Sequence, residues 1–247
     1  MYSNSYVFRY AAIMVILVAA VLSAVAMFLK PAQDRNVAIE KMRNILAAAN
    51  IEANAENAIE LFDKYIVEED ALSPQGEVVG IYRNQKLEKG EIRPFEINLK
   101  EELYKHSKGQ DFIVPLYIAN VEGKKLFIFP LLGRGLWGPV YGNLALEEDF
   151  NTVAGSMFGH DKETPGLGAE IELPIFESQF IGKKIFDDKG DFTSIKVLKA
   201  ASKVLPPDQL IHGVDAISGG TITSNGVSEM IWNNMSIYLE YIKKQKI

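Results

Sequence analysis

Between Ala11 and Leu29 the chain runs nineteen residues without a charge, most of them Ala, Val, Ile, Leu or Met. At a helical rise of about 1.5 Å per residue this run is about 28 Å long, close to a hydrocarbon core of roughly 30 Å. Arg9 and Tyr10 flank it on one side and Lys30 on the other, where interfacial anchors belong. A transmembrane helix over residues 10–30 is therefore expected, preceded by a short terminus of residues 1–9. A cleaved signal peptide is the competing reading, because Ser23, Ala24 and Ala26 are small. Its apolar region normally covers only ~7–15 residues, so the longer run favours a retained anchor. Charge does not orient the helix. Arg9 stands against Lys30, Arg35, Lys41 and Arg43, which hint at the opposite sense.

Arg9 is the one charged residue before Lys30, so the remaining chain carries 25 basic against 32 acidic residues, a net charge of -7. An acidic domain gives no support to nucleic-acid binding. Cysteine is absent from the 247 residues, which excludes disulfides, thiolate catalysis and cysteine-held zinc or iron–sulfur clusters. His106, His160 and His212 are far apart and show no metal-ligand spacing, so no metal site is expected.

Beyond the anchor, residues 31–110 read as a membrane-proximal helical and mixed region. Val37, Ile39, Met42, Ile45 and Leu46 form one stripe of a helix over 36–49, and Ile59, Phe62 and Ile66 mark a second over 54–67. Glu68, Glu69 and Asp70 read as its solvated end. Ser73-Pro74-Gln75-Gly76 is a turn before a strand at 78–82, and residues 83–110 read as loop and short helix. Apolar runs at 112–121 and 125–131, joined by Glu122-Gly123-Lys124, predict a β-hairpin. Further strands are expected at 140–146, 152–158 and 192–198, a turn at Pro206-Pro207-Asp208, and a helix from Asn225 to the basic tail at Lys243. The fold class is α+β, an antiparallel sheet with flanking helices behind one transmembrane helix.

Three stretches carry the chemistry. In the first, Asp215 precedes Ser218-Gly219-Gly220-Thr221, with Thr223 and Ser224 leading into the last helix. Glycines let the backbone approach a bulky ligand, and a helix N-terminus suits a phosphate. Such a run also serves as a turn with an N-cap. The second is Thr164-Pro165-Gly166-Leu167-Gly168, a turn that displays Leu167 and suits a planar ring, or a buried loop before a helix from Ala169. The third is Trp137 in the glycine-rich 133–139 loop, able to pack on a ring or to fill a core. Glu163 and His160 beside the second stretch are weak acid–base candidates, and no catalytic residue is assigned.

The first stretch resembles the flavinylation motif of the FMN-binding domain family, an Asp followed three residues later by Ser-Gly-Ala-Thr. In that family the threonine carries FMN through a phosphoester bond, placed there by a flavin transferase that consumes FAD. Asp215, Ser218, Gly219 and Thr221 fall on the pattern, while Gly220 stands where the family usually has alanine. Thr164, Gly166, Leu167 and Gly168 match the second signature. The phrase from Arg134 to Gly142, and Asn44 to Ala49, resemble one branch, the C subunits of sodium-translocating NADH:quinone oxidoreductases. The resemblance implies covalent FMN on Thr221, with Asp215, Ser218, Gly219, Gly220, Thr223, Thr164, Gly166, Leu167, Gly168 and Trp137 around it. It also implies electron transfer from NADH toward quinone within a sodium-pumping complex of several subunits. The complex would lie in a bacterial inner membrane, with residues 111–247 as a periplasmic FMN-binding domain. The corresponding flavin subunit of the Rnf complex, or an anchored flavin sensor or carrier outside any enzyme, are the alternatives.

Overall fold

The computed structural model describes residues 3–246. Met1, Tyr2 and Ile247 lie outside the described residues, so the expected terminal segment is seen only from Ser3. The chain divides into two compact units, one as far as Lys41 and one from Met42 onward.

The first unit consists of helix α1 (Asn4–Ala48), which continues into the second unit. The helix expected over 36–49 is its last part rather than a separate element. Pro31 and the charges after Lys30 end the apolar run but not the helix. The apolar stretch is long enough to cross a membrane, and none of its residues is buried.

The second unit is built on seven antiparallel strands: β1 (Ile66–Leu72), β2 (Val78–Arg83), β3 (Lys86–Lys89), β4 (Val114–Val121), β5 (Lys124–Arg134), β6 (Pro139–Leu146) and β7 (Val153–His160). Their order is β3-β2-β1-β4-β5-β6-β7, so three strands of the sheet precede residue 111. The expected hairpin is formed by β4 and β5, with Glu122 and Gly123 both at positive φ in its turn. A second hairpin, β5–β6, pairs Arg134 with Pro139 across the Trp137 loop, so that loop is tight rather than an interruption of the sheet.

The acidic run at 68–70 is a correction to the expected helix end. Helix α2 (Ala58–Tyr65) stops early, and Glu69 and Asp70 lie inside β1, each only 2% exposed. Tertiary partners override the polar pattern. The Glu69 carboxylate takes both a bidentate Arg93 and the N–H of Phe95. On the other face, burial and the neighbouring Glu68 push the Asp70 carboxyl up to about 7, despite Arg83 and Lys89. Residues 83–110 include β3 and helix α3 (Leu99–Ser107). The strand expected at 192–198 is shortened to β8 (Lys196–Leu198), since Ser194 has φ 59°, and it pairs in parallel with β9 (Gly213–Asp215). Short helices α4 (Pro174–Glu177) and α5 (Ala201–Val204) precede the long α6 (Thr221–Gln245).

Helix α6 packs on the sheet through Val227, Met230, Ile231, Met235, Tyr238, Tyr241 and Ile242, all buried. Full burial of one such side chain stabilises by about 1.5–3 kcal/mol. Polar contacts fix its register. Asn234 accepts the N–H of Leu132 at 3.1 Å and donates to that residue's carbonyl at 2.9 Å. Tyr238 donates to the carbonyl of Pro115 at 2.9 Å. At Gly226 the helix comes so near the β5–β6 hairpin that a Cβ would stand 2.3 Å from the Arg134 carbonyl oxygen. The helix N-terminus is thereby held beside the Trp137 loop.

Candidate functional site

The last helix begins four residues earlier than its apolar pattern indicates. Thr221 is its first residue and Gly220, at φ -103°, its N-cap, with no side chain capping the first turn. Gly219 takes φ +77°, a conformation open to glycine at little cost, and so turns the chain from Ser218 into the helix. Polar residues of modest helix propensity fill this first turn, which is why it reads as loop in the sequence.

The turn sorts the four hydroxyls. Ser218 and Thr221 are exposed, while Thr223 is 1% exposed and Ser224 fully buried. Each buried hydroxyl is engaged: Ser224 Oγ accepts the N–H of Ile217 at 3.1 Å, and Thr223 donates to Oε2 of Glu163. Thr223 therefore ties the helix to the second stretch and does not cap the helix end.

Glu163 is 4% exposed, and its other oxygen, Oε1, accepts the N–H of Trp137 at 2.8 Å. One carboxylate thus joins all three stretches singled out in the sequence. The glycines around it match. A Cβ on Gly168 would stand 2.4 Å from Thr223 Oγ1 and 2.5 Å from Glu163 Oε2, and one on Gly135 2.6 Å from Glu163 Oε1. Real Cβ atoms do not approach so closely, so both glycines make room for the carboxylate. The Glu163 N–H donates to Nδ1 of His160, at the end of β7. His160 Nε2 is buried at 3.6 Å from Oε2 of Glu172.

The Thr164 turn is closed by the N–H groups of Leu167 and Ala169 on the Thr164 carbonyl, and Gly166 at φ +75° donates to Glu170. In place of the expected helix from Ala169, a 3-10 turn runs from Gly168 to Glu172 before α4. Leu167 is exposed, yet its Cδ2 lies where a Cβ of Gly219 would be 2.5 Å away, so the two loops touch. Trp137 is 63% exposed and fills no core. Thr164 and Gly166 are exposed on the same turn, while Gly168 is buried within it.

Asp215 is not drawn into this cluster by its side chain. Its Oδ1 accepts the N–H of Ala201 at the start of α5, and its backbone pairs with Gln179. The residue that sequence reasoning undervalued is Glu163. Its signal was a carboxylate directly before the glycine-rich Thr164 turn, but only the fold reveals its partners.

The arrangement offers an exposed hydroxyl on Thr221, an uncapped helix N-terminus, and two exposed apolar side chains, Trp137 and Leu167, on loops anchored to the same carboxylate. A model of the FMN-binding domain matches residues 135–236, which include the first two stretches and Trp137 of the third. The C subunit of the Na(+)-translocating NADH-quinone reductase of Vibrio campbellii is 32% identical over 84% of this chain and 81% of that protein. Its Pseudomonas aeruginosa counterpart is 33% identical over 89% and 87%. The crystal structure of the corresponding C subunit from Parabacteroides distasonis superposes with a TM-score of 0.73 at 36% identity, covering 87% of this chain and 96% of that one.

Proposed function

The chain belongs to the family of C subunits of the Na(+)-translocating NADH-quinone reductases, and from that membership we propose that it carries FMN phosphoester-linked to Thr221. It is a flavin subunit with an electron-transfer role in a translocase, and FMN is its cofactor. The sorting of the hydroxyls leaves Ser218 and Thr221 exposed, and of these two only Thr221 falls on the threonine of the motif. Thr221 is exposed directly after the Gly219 turn, while Thr223 and Ser224 are buried and already bonded.

The residues present fit the group. Gly219 is exposed and puts no side chain beside Thr221, and the uncapped first turn of α6 offers N–H groups and a positive dipole end to a phosphate. Trp137 and Leu167 supply exposed apolar surface for a planar ring, with Ser218, Thr164, Gly166 and Gly168 around them. FMN, once bound, supplies the electron-carrying chemistry, and the protein supplies attachment, orientation and electrostatics. Covalent attachment keeps a flavin held between exposed side chains from being lost to water. Asp215, whose carboxylate secures α5, contributes by holding the loop that presents Ser218 and Thr221.

On this reading electrons pass from NADH toward quinone through a complex with other subunits, and a flavin transferase matures the chain. Residues 10–30 anchor it once in a bacterial inner membrane, residues 1–9 lie in the cytoplasm, and the flavin domain, residues 111–247, faces the periplasm. Intact mass measurement of the chain purified after co-expression with a flavin transferase tests the proposal. A mass increment of one FMN supports it. The unmodified mass alone would contradict it and favour a reversible flavin carrier.

A further inference from the structure

We propose that Glu163 is a positioning residue that sets the electrostatics of the flavin site and holds its reduction potential down. This inference rests on the proposed flavin site and adds to it a charge that the motif residues do not include. Three observations support it. The carboxylate is 4% exposed, and among the described residues no lysine, arginine or histidine nitrogen forms an ion pair with it. Its two oxygens are held by a main-chain N–H, that of Trp137, and by the hydroxyl of Thr223. Gly135 and Gly168 leave it space that a single methyl group would take away.

Both donors are neutral, so neither offsets the charge of a carboxylate, and a charge buried away from water acts over a longer range than one in solvent. Reduction adds electrons to the flavin, so a fixed negative charge in contact with the loops around it opposes the step. The same contacts set the spacing between the Trp137 loop, the Thr164 turn and the first turn of α6. Position and charge therefore reside in one side chain, and variants separate them.

The experiment uses the full-length, membrane-purified chain co-expressed with a flavin transferase, with flavin absorbance followed in a redox titration. Absence of FMN from the parent chain would sink the proposed function itself, before any variant is compared. Glu163→Gln keeps an oxygen for the Trp137 N–H but removes the charge, and the expected result is attached FMN with a midpoint potential shifted positive. Thr223→Val keeps the shape and removes a donor, which leaves the carboxylate less compensated; the expected shift is negative. A structural defect common to both would move them the same way. The proposal is overturned if the two shifts have the same sign, or if either flavinylated variant keeps the parent's potential. If Glu163→Gln does not accumulate, Thr223→Val alone decides by the sign of its shift.

Discussion

Thr223 donates its hydroxyl to Oε2 of Glu163, sixty residues earlier in the chain, with both side chains almost wholly buried. The bond joins the first turn of the last helix to the turn that displays Leu167. Gly168 lies against both partners, and its missing side chain is what lets them meet.

Gly168→Ala should therefore be among the most damaging small substitutions in this unit. The added methyl group cannot be accommodated without parting Glu163 from Thr223, and overpacking of this kind costs about 1–3 kcal/mol. Thermal unfolding should show a clear fall in Tm, accompanied by altered flavin absorbance in the modified protein. An unchanged Tm would mean that the two loops have slack which their contacts do not suggest.

The neighbouring glycines should behave in opposite ways. At Gly220 the φ of -103° suits any residue, and a Cβ would lie 3.2 Å from the nitrogen of Gly168 and from Ile217, tight but within reach of small adjustments. Gly220→Ala restores the residue usual in the family and should keep flavin attachment, with stability changed by no more than about 1 kcal/mol. Gly219→Ala meets both a positive φ and Leu167 at 2.5 Å, and should lower stability by about 1–2 kcal/mol and slow attachment. Parallel denaturant titrations and flavin-fluorescence gels of the two variants check the contrast.

Which parts of this were legible in the sequence follows from how local each signal is. The apolar run and the Glu122-Gly123 hairpin are dictated by near neighbours, and both are present as expected. The stretches around Trp137, Thr164 and Thr221 were also visible, because glycines and turn residues mark them. What could not be read was convergence. The place of Glu69 and Asp70 inside β1 depends on Arg93, Phe95, Arg83 and Lys89, all distant in sequence. The role of Glu163 depends in the same way on Trp137 and Thr223. The start of α6 at Thr221 was hidden because three of its first four residues, Thr221, Thr223 and Ser224, are polar, and packing of the later turns, not propensity, sustains the helix.

Glu177 makes the stability of the second unit depend on pH. Burial pushes its carboxyl up to about 7 from an ordinary 4.5, opposed by the N–H of Phe158 and reinforced by Glu172. A carboxyl whose folded pKa is raised holds its proton better when folded. Stability is then lost as pH rises from about 4.5, where the unfolded chain begins to ionise, to about 7, and changes no further above that. Glu177→Gln keeps an acceptor for Phe158 and should raise Tm relative to the parent at pH 8, with the gap closing below about pH 5. A gap that is constant across pH would show that Glu177 does not titrate in this range.

Residues 10–30 should remain on the mature protein. The uncharged run and its flanking Arg9, Tyr10 and Lys30 motivate this, together with an exposed apolar helix long enough to span. Amino-terminal sequencing of membrane-purified protein should find the native start, and a start near residue 27 would identify a cleaved signal instead.

The most direct test is the site of attachment. Thr221→Ala and Thr223→Ala are each co-expressed with a flavin transferase, run on a denaturing gel viewed for flavin fluorescence, and mapped by peptide mass. Exposure at Thr221 and the Glu163 bond at Thr223 predict a dark Thr221→Ala band and a fluorescent Thr223→Ala band with FMN on Thr221. A fluorescent Thr221→Ala band, with FMN mapped to Thr223 or Ser218, would contradict it.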